Sequence, residues 1–221
     1  ELEQGASSGS SLVYEWCGER KLEVSEKKTA AMLLKGNLNV ERPPRVEMRG
    51  KRIKVVREFK YLGIWLTPGL RVNLHVRRVC AGIEGRWEKL RRLSGKDWGY
   101  GFREMKIVYK SMVESMWCFG ASFVWPRLTG GVKKRLGQSQ RRVLLSLLGG
   151  YRTVPTCVLP VAAGVLPVVY KMEEAYKRYM VRRGISVDIG GREVDCDEVE
   201  IEGMDKIKVR ICEGILEKWQ E

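Results

Sequence analysis

The chain has 221 residues, 44% of them hydrophobic, enough to bury a sizeable core in one domain or two small ones, which excludes a low-complexity tail. Its net charge of +14 is concentrated: residues 1–50 carry 8 Lys/Arg against 8 Asp/Glu, 51–150 carry 22 against 6, and 151–221 carry 11 against 13. That segregation points to a polyanion-facing surface in the middle of the chain, with a merely solvated charged face as the alternative.

Residues 1–20 read as a helix weakened by Gly5, Gly9 and a serine cluster, with Leu12, Val13 and Trp16 as its apolar face. Lys21 to Val24 and Ala30 to Leu34 read as short strands. After Pro43-Pro44, a hairpin is expected from Arg45 to Met48 and Arg52 to Val56 about a Gly50-Lys51 turn. Phe59 to Leu66 reads as a further strand, stopped by Thr67-Pro68-Gly69. Beyond Pro68 the apolar period changes from two toward 3.6, which predicts helices over 72–93, 103–119, 130–148, 168–183 and 204–219. Val154 to Tyr170 is uncharged but broken by Pro155, Pro160 and Pro167; it is too short and interrupted to span a bilayer and reads as buried loop and strand-like core. The fold class is therefore α+β, a small β-rich region followed by a mostly α-helical remainder, divided at 1–67, 68–150 and 151–221.

The basic middle has a helical pattern that can pack and bind at once. In the segment Val132 to Leu147, the apolar Val132, Leu136, Val143, Leu144 and Leu147 share one face, while Lys134, Arg135, Arg141 and Arg142 lie largely off it. Guanidinium forks match phosphate oxygens, and each neutralised phosphate releases counterions, so such a face binds without regard to sequence. Arg86, Lys89, Arg91 and Arg92 offer a second such face around Trp87, whose ring either packs in the core or stacks on a base. Trp98, Tyr100, Trp117 and Trp125 are expected as core aromatics, and His75 as a helix-end or packing residue. Cys17, Cys80, Cys118, Cys157, Cys196 and Cys212 are scattered without a C-x-x-C pair, and His75 is the only histidine, which argues against a four-ligand zinc site. A polar, acidic start without an apolar signal core implies reduced thiols in the cytoplasm or nucleus. Asp195-Cys196-Asp197 lies among Glu193, Glu198, Glu200 and Glu202 and reads as an exposed acidic segment rather than a metal-binding pair.

Three motifs carry a family resemblance. Lys54 to Ile64, containing Phe59-Lys60-Tyr61-Leu62-Gly63, resembles the primer-grip hairpin that closes a reverse transcriptase palm. Leu22-Glu23-Val24-Ser25, leading through Lys27-Lys28-Thr29, resembles the motif just before it, and Gly150-Tyr151-Arg152-Thr153 resembles an element beyond the thumb for which no mechanism is assigned. In this order and spacing, from about Leu2 onward, the chain is similar to the reverse transcriptase in the Pol polyprotein of type-1 (R-one) non-LTR retrotransposons.

The resemblance implies an end-of-palm region over 1–67, a basic thumb over 68–150 and a helical connector over 151–221. It implies that Lys28 or Lys27 approaches the phosphates of an incoming nucleotide, where an ammonium group can stabilise or protonate departing pyrophosphate; a solvated turn is the alternative. It implies a primer grip made of Phe59, Tyr61, Leu62 and Gly63. The partners it implies are an RNA template, a DNA primer or target duplex and the remainder of the polyprotein, with no membrane, and the implied cofactor is Mg2+ in the intact polymerase. No Tyr-x-Asp-Asp motif is present, so the chain by itself is expected to lack the catalytic aspartates, to bind no metal and to be inactive. The family's endonuclease would belong to the parent polyprotein. A stand-alone, non-catalytic nucleic-acid-binding protein derived from such a polymerase is the alternative.

Overall fold

Two units with separate cores make up the chain, Glu1–Leu74 and His75–Glu221. The structure, a computed structural model, describes residues 2–34, 44–94, 98–189, 191–194 and 203–220. Asp195-Cys196-Asp197 lies outside the described residues.

In the first unit, α1 (Leu2–Glu19) ends where Lys21 enters the left-handed region at φ 57° and Leu22 donates its N–H back to the Cys17 carbonyl at 2.9 Å. This wrap of the helix end occupies the start of the segment expected as a strand, and Lys21 to Val24 form none. Polar contacts seat α1: Ser10 Oγ donates to the Glu47 carbonyl (2.9 Å), Glu47 N–H donates to Ser7 Oγ (3.1 Å) and Arg45 N–H donates to Glu3 Oε1 (3.0 Å). A 3-10 turn (Glu26–Lys28) leads into β1 (Ala30–Ala31), shorter than the strand expected there.

The expected hairpin forms, with β2 (Glu47–Met48) and β3 (Lys51–Arg52) antiparallel and Met48 opposite Lys51. Its turn residues are Arg49 and Gly50, both at positive φ (51° and 72°), the combination whose twist suits a two-residue hairpin. β4 (Lys54–Val55) leaves that ladder to run parallel to β1, placing Ala30 opposite Lys54 and Ala31 opposite Val55. Val46, Met48 and Ile53 form the small core, against which Tyr14, Val24 and Ala31 pack. The single strand expected over Phe59 to Leu66 is instead a hairpin of β5 (Phe59–Tyr61) and β6 (Ile64–Leu66). Leu62 and Gly63 turn it at φ 45° and 88°; glycine adopts that region freely, whereas Leu62 does so at a cost of about 1–2 kcal/mol.

In the second unit, α2 (Asn73–Arg91) is followed by one helical rod: α3 (Phe102–Val108), a wide π-helical turn (Tyr109–Glu114) and α4 (Ser115–Cys118). Then come α5 (Ala121–Val124), α6 (Gly130–Leu148), α7 (Val158–Ala163), α8 (Val168–Arg182), an antiparallel pair β7 (Val187–Ile189) and β8 (Arg192–Val194), and α9 (Met204–Gln220). The five long helical predictions match within about two residues at each end, the margin by which helix ends are defined anyway.

Trp87, Tyr109 and Trp117 pack edge to face in the core, with ring centroids 6.3 Å apart at both steps. Gln140 is buried and saturated: its Nε2 donates to Tyr109 Oη (3.0 Å) and to the Leu166 carbonyl (2.9 Å), and its Oε1 accepts from Val168 N–H (2.8 Å). These bonds join α6 to the wide turn and to the start of α8, across position 150. A second cluster sets Val181, Val187, Ile189 and Val194 against Ile207, Ile211 and Ile215.

The proline-broken stretch is helical where a strand-like core was expected. Pro160 sits in the first turn of α7, where its missing N–H has no intrahelical partner to lose, and Pro155 and Pro167 lie outside it. Trp98 and Tyr100 are exposed, not core, because they ride on the α2–α3 loop. There Tyr100 N–H donates to the Leu93 carbonyl at 3.0 Å, and Ser94 Oγ donates to the Tyr100 carbonyl at 2.6 Å. Gly99 (φ 81°) permits this loop, since a Cβ would collide with the Leu93 carbonyl.

Candidate nucleic-acid interface

The first unit gathers its cations around a cavity of about 780 Å³ lined by Lys27, Lys28, Lys51, Arg52, Lys54 and Lys60, over a partly apolar floor that includes Ile53 and Phe59. Among the described side chains, no carboxylate lines it. Local bonding explains the placement. The 3-10 turn is held at Ser25, whose carbonyl accepts Lys28 N–H and Thr29 N–H at 3.1 Å each and Thr29 Oγ1 at 2.9 Å. The parallel β1–β4 pairing then brings Lys54 beside Ala30. Six like charges around one opening repel one another and favour an anion there.

Of the residues expected to act together, Lys27, Lys28 and Phe59 line this cavity, whereas Tyr61, Leu62 and Gly63 form the exposed hairpin tip beyond it. Lys51, Arg52, Lys54 and Lys60 were not singled out from the sequence. Their common signal is a positive charge at nearly every second or third position from 49 to 60, visible only as charge density until β3, β4 and β5 fold round one opening.

In the second unit the basic residues divide by what they touch. Arg141 donates from Nη1 to the Val154 carbonyl (2.6 Å) and Thr156 Oγ1 (3.0 Å), and from Nη2 to the Arg152 carbonyl (2.6 Å), so its fork braces a loop. Arg142 pairs with Glu84 at 2.7 Å, Arg91 with Glu88 at 3.0 Å, and Arg86 Nη1 reaches Met116 Sδ at 3.2 Å. Lys89, Arg92, Lys134 and Arg135 are exposed and form no ion pair with a described residue. The apolar face of α6 is as expected, with Val132, Leu136, Val143, Leu144 and Leu147 all buried. Trp87 is core, and so is Trp117. His75 is buried at the start of α2, and burial holds its imidazole below the usual range.

The cations of α8 have a different environment. Glu173 and Glu174 are buried; Glu173 accepts Lys177 (3.3 Å) and Lys218 (3.0 Å), and Glu174 accepts Lys171 (2.9 Å), Arg178 and the Cys212 thiol (3.3 Å). Beside them, burial pushes the Cys118 thiol up to about 12. Among the described residues, no three His, Cys, Asp or Glu side chains converge as a metal site.

The chain is 30% identical over 99% of its length to a 115 kDa protein in the type-1 retrotransposable element R1DM of Drosophila melanogaster, covering 21% of that protein. It is 30% identical over its whole length to a Pol polyprotein from element R1 2 of Nasonia vitripennis, covering 55% of it. A Pol polyprotein from element R1 of Bradysia coprophila is 32% identical over 95% of the chain, with 21% of the relative covered. The chain is homologous to part of a type-1 retrotransposon Pol polyprotein. It spans between about a fifth and just over half of these three relatives. No family model matches it, and no solved structure does. Within this Pol homologue no described helix is long and apolar enough to cross a membrane.

Proposed function

We propose that this chain serves an RNA-directed DNA polymerase as the part that seats the primer terminus and holds the template–primer duplex. The observation that carries the reading is convergence: Lys27 and Lys28 from one motif and Phe59 from another, some thirty residues apart, line a single cavity whose described charged side chains are cationic. The adjoining hairpin tip supports it, because Leu62 holds a left-handed backbone while its side chain is 77% exposed, a strain that no packing at that residue offsets.

In this reading Lys28 or Lys27 meets the phosphates of the nucleotide, Phe59, Tyr61, Leu62 and Gly63 position the primer end, and Lys89, Arg92, Lys134 and Arg135 track the duplex backbone. Arg86, Arg91 and Arg142 belong to the same face only where phosphate displaces their present partners, while Arg141 works from beneath. Magnesium, as the intact polymerase would use it, stabilises charge on the transferring phosphoryl group. Among the described residues, the carboxylates do not converge on a site for it. Because its sequence holds no Tyr-x-Asp-Asp motif, the chain alone is expected not to extend a primed template.

The test is the salt dependence of binding. The chain is expected to bind duplex with little sequence preference, log affinity falling linearly with log salt by roughly 0.9 per phosphate neutralised on B-form DNA. Changing Lys134, Arg135, Lys89 and Arg92 together to Gln removes charge with little loss of helix propensity, so affinity and slope fall while folding survives. Arg182→Gln with Arg183→Gln, outside the basic centre, is the control; equal weakening by both sets, or no binding by the unaltered chain, overturns the reading.

A further inference from the structure

The Tyr151-Arg152-Thr153 loop is absorbed by none of the roles above, yet the fold holds it firmly. Gly149 caps α6 in the left-handed region at φ 61°, and Gly150 N–H returns to the Leu145 carbonyl at 2.9 Å, reversing the chain along the helix it has just left. Val154 N–H closes a turn onto the Tyr151 carbonyl at 3.1 Å. From below, the Arg141 fork takes the carbonyls of Arg152 and Val154 and the hydroxyl of Thr156.

What this bracing displays is not a packed side chain. Tyr151 is 82% exposed, the most exposed tyrosine among the described residues with a large apolar surface, and Arg152 and Thr153 are exposed beside it. The Arg152 side chain makes no ion pair with a described residue. A loop whose side chains bury nothing gains no hydrophobic stability from being fixed, so its rigidity serves presentation.

Sequence charge and side-chain chemistry narrow the class of occupant. Between Glu114 and Glu173 the sequence runs 58 residues with eight Lys/Arg and no Asp or Glu. The loop and the α6 face that carries Lys134 and Arg141 lie inside that interval. An exposed aromatic ring next to an exposed guanidinium that pairs with no described carboxylate suits an unpaired base and its phosphate, since every base offers a π-face for stacking and every nucleotide a phosphate oxygen for the fork.

We infer that Tyr151 and Arg152 form a braced platform for a single nucleic-acid strand, with Tyr151 stacking on a base, Arg152 taking the adjoining phosphate and Arg141 acting as the positioning residue beneath. The inference rests on the reading of the chain as nucleic-acid-binding but adds a second contact, away from the duplex face, for unpaired strand.

The experiment is fluorescence anisotropy of a short fluorescein-labelled single strand and of a blunt duplex with the full chain. Tyr151→Ala is expected to weaken single-strand binding roughly 5- to 150-fold, the range for loss of one stacked base, with unchanged salt slope and little effect on duplex. Tyr151→Phe is expected to restore binding, and Arg152→Gln to lower the single-strand salt slope by about 0.7, one phosphate's worth. Arg141→Lys keeps the charge but replaces the planar fork, and is expected to weaken single-strand binding as Tyr151→Ala does.

The exposed Cys157 adjoins Thr156 and gives a readout that affinity does not. Single strand should slow its alkylation, read by mass spectrometry, in the unaltered chain and not in Tyr151→Ala. If Lys134→Gln with Arg135→Gln weakens duplex binding while Tyr151→Ala leaves single-strand affinity and Cys157 protection unchanged, the platform is a surface for something else, such as a protein, and the inference is wrong while nucleic-acid binding stands. If the unaltered chain binds neither probe, both fail.

Discussion

Lysines and arginines meet two fates in this chain, and the contrast between α8 and the first-unit cavity separates them. Along α8, Lys171, Lys177 and Arg178 are each tied to a buried glutamate, so these charges hold the second unit together. Around the first-unit cavity, six cations face one opening that no described carboxylate lines. Net charge alone does not distinguish the two. Cations tied to buried carboxylates signal architecture, whereas cations gathered round one opening signal a ligand.

The largest expected break in that comparison is at Glu174. Glu174→Ala leaves Lys171 and Arg178 beside an emptied buried site and should destabilise the protein by about 3 kcal/mol in urea unfolding. Lys28→Gln and Lys60→Gln, by contrast, should stay within about 0.5 kcal/mol, as exposed substitutions do. Comparable losses from both would mean that the cavity lysines are structural after all.

Gln140→Leu sharpens the same contrast without charge. It leaves Val168 N–H and the Leu166 carbonyl without their partner and should lower stability by about 2 kcal/mol, near the penalty for an unsatisfied buried group. A neutral result would show that water replaces the amide.

The smallest effect concerns the thiol beside the α8 cluster. Burial raises the Cys118 thiol from 9.0 to about 12, so the folded state keeps this proton at pH values where the unfolded chain loses it. Its contribution is complete below about pH 9 and declines as pH rises from there toward 12. Alkylation at neutral pH should reach the exposed Cys157 well before Cys118. Equal rates would mean that the α8 face opens readily.

The long helices were legible because their apolar residues recur at 3.6, and α6 carried its whole buried face in the sequence. The first unit was harder to read. Its strands are two or three residues long, and β1 finds β4 twenty-four residues away, a pairing no local period encodes. Phe59 to Leu66 reads locally as one strand, and the positive φ at Leu62 and Gly63 folds it in two. At the interface, residue types were informative but partners were not. Arg141 and Lys134 look alike in sequence, yet one is directed to the carbonyls of its own loop and the other outward. The buried Glu173-Glu174 pair gave no signal, because adjacent glutamates on a helix ordinarily face water.

The wide turn at Tyr109–Glu114 also sets the phase of the rod that contains it. Met105, Tyr109, Val113 and Trp117 are all buried and recur every four residues. On an ideal α-helix a four-residue step overshoots a full turn by about 40°, so three steps would swing the last residue about 120° away from the first. A turn of longer period takes up that excess and keeps the four in one line. The strict four-residue spacing and the π-helical turn therefore go together: with one residue deleted between Tyr109 and Val113, Trp117 would follow Tyr109 by seven residues, which an ordinary α-helix brings within about 20° of the same line, so the wide turn would no longer be needed.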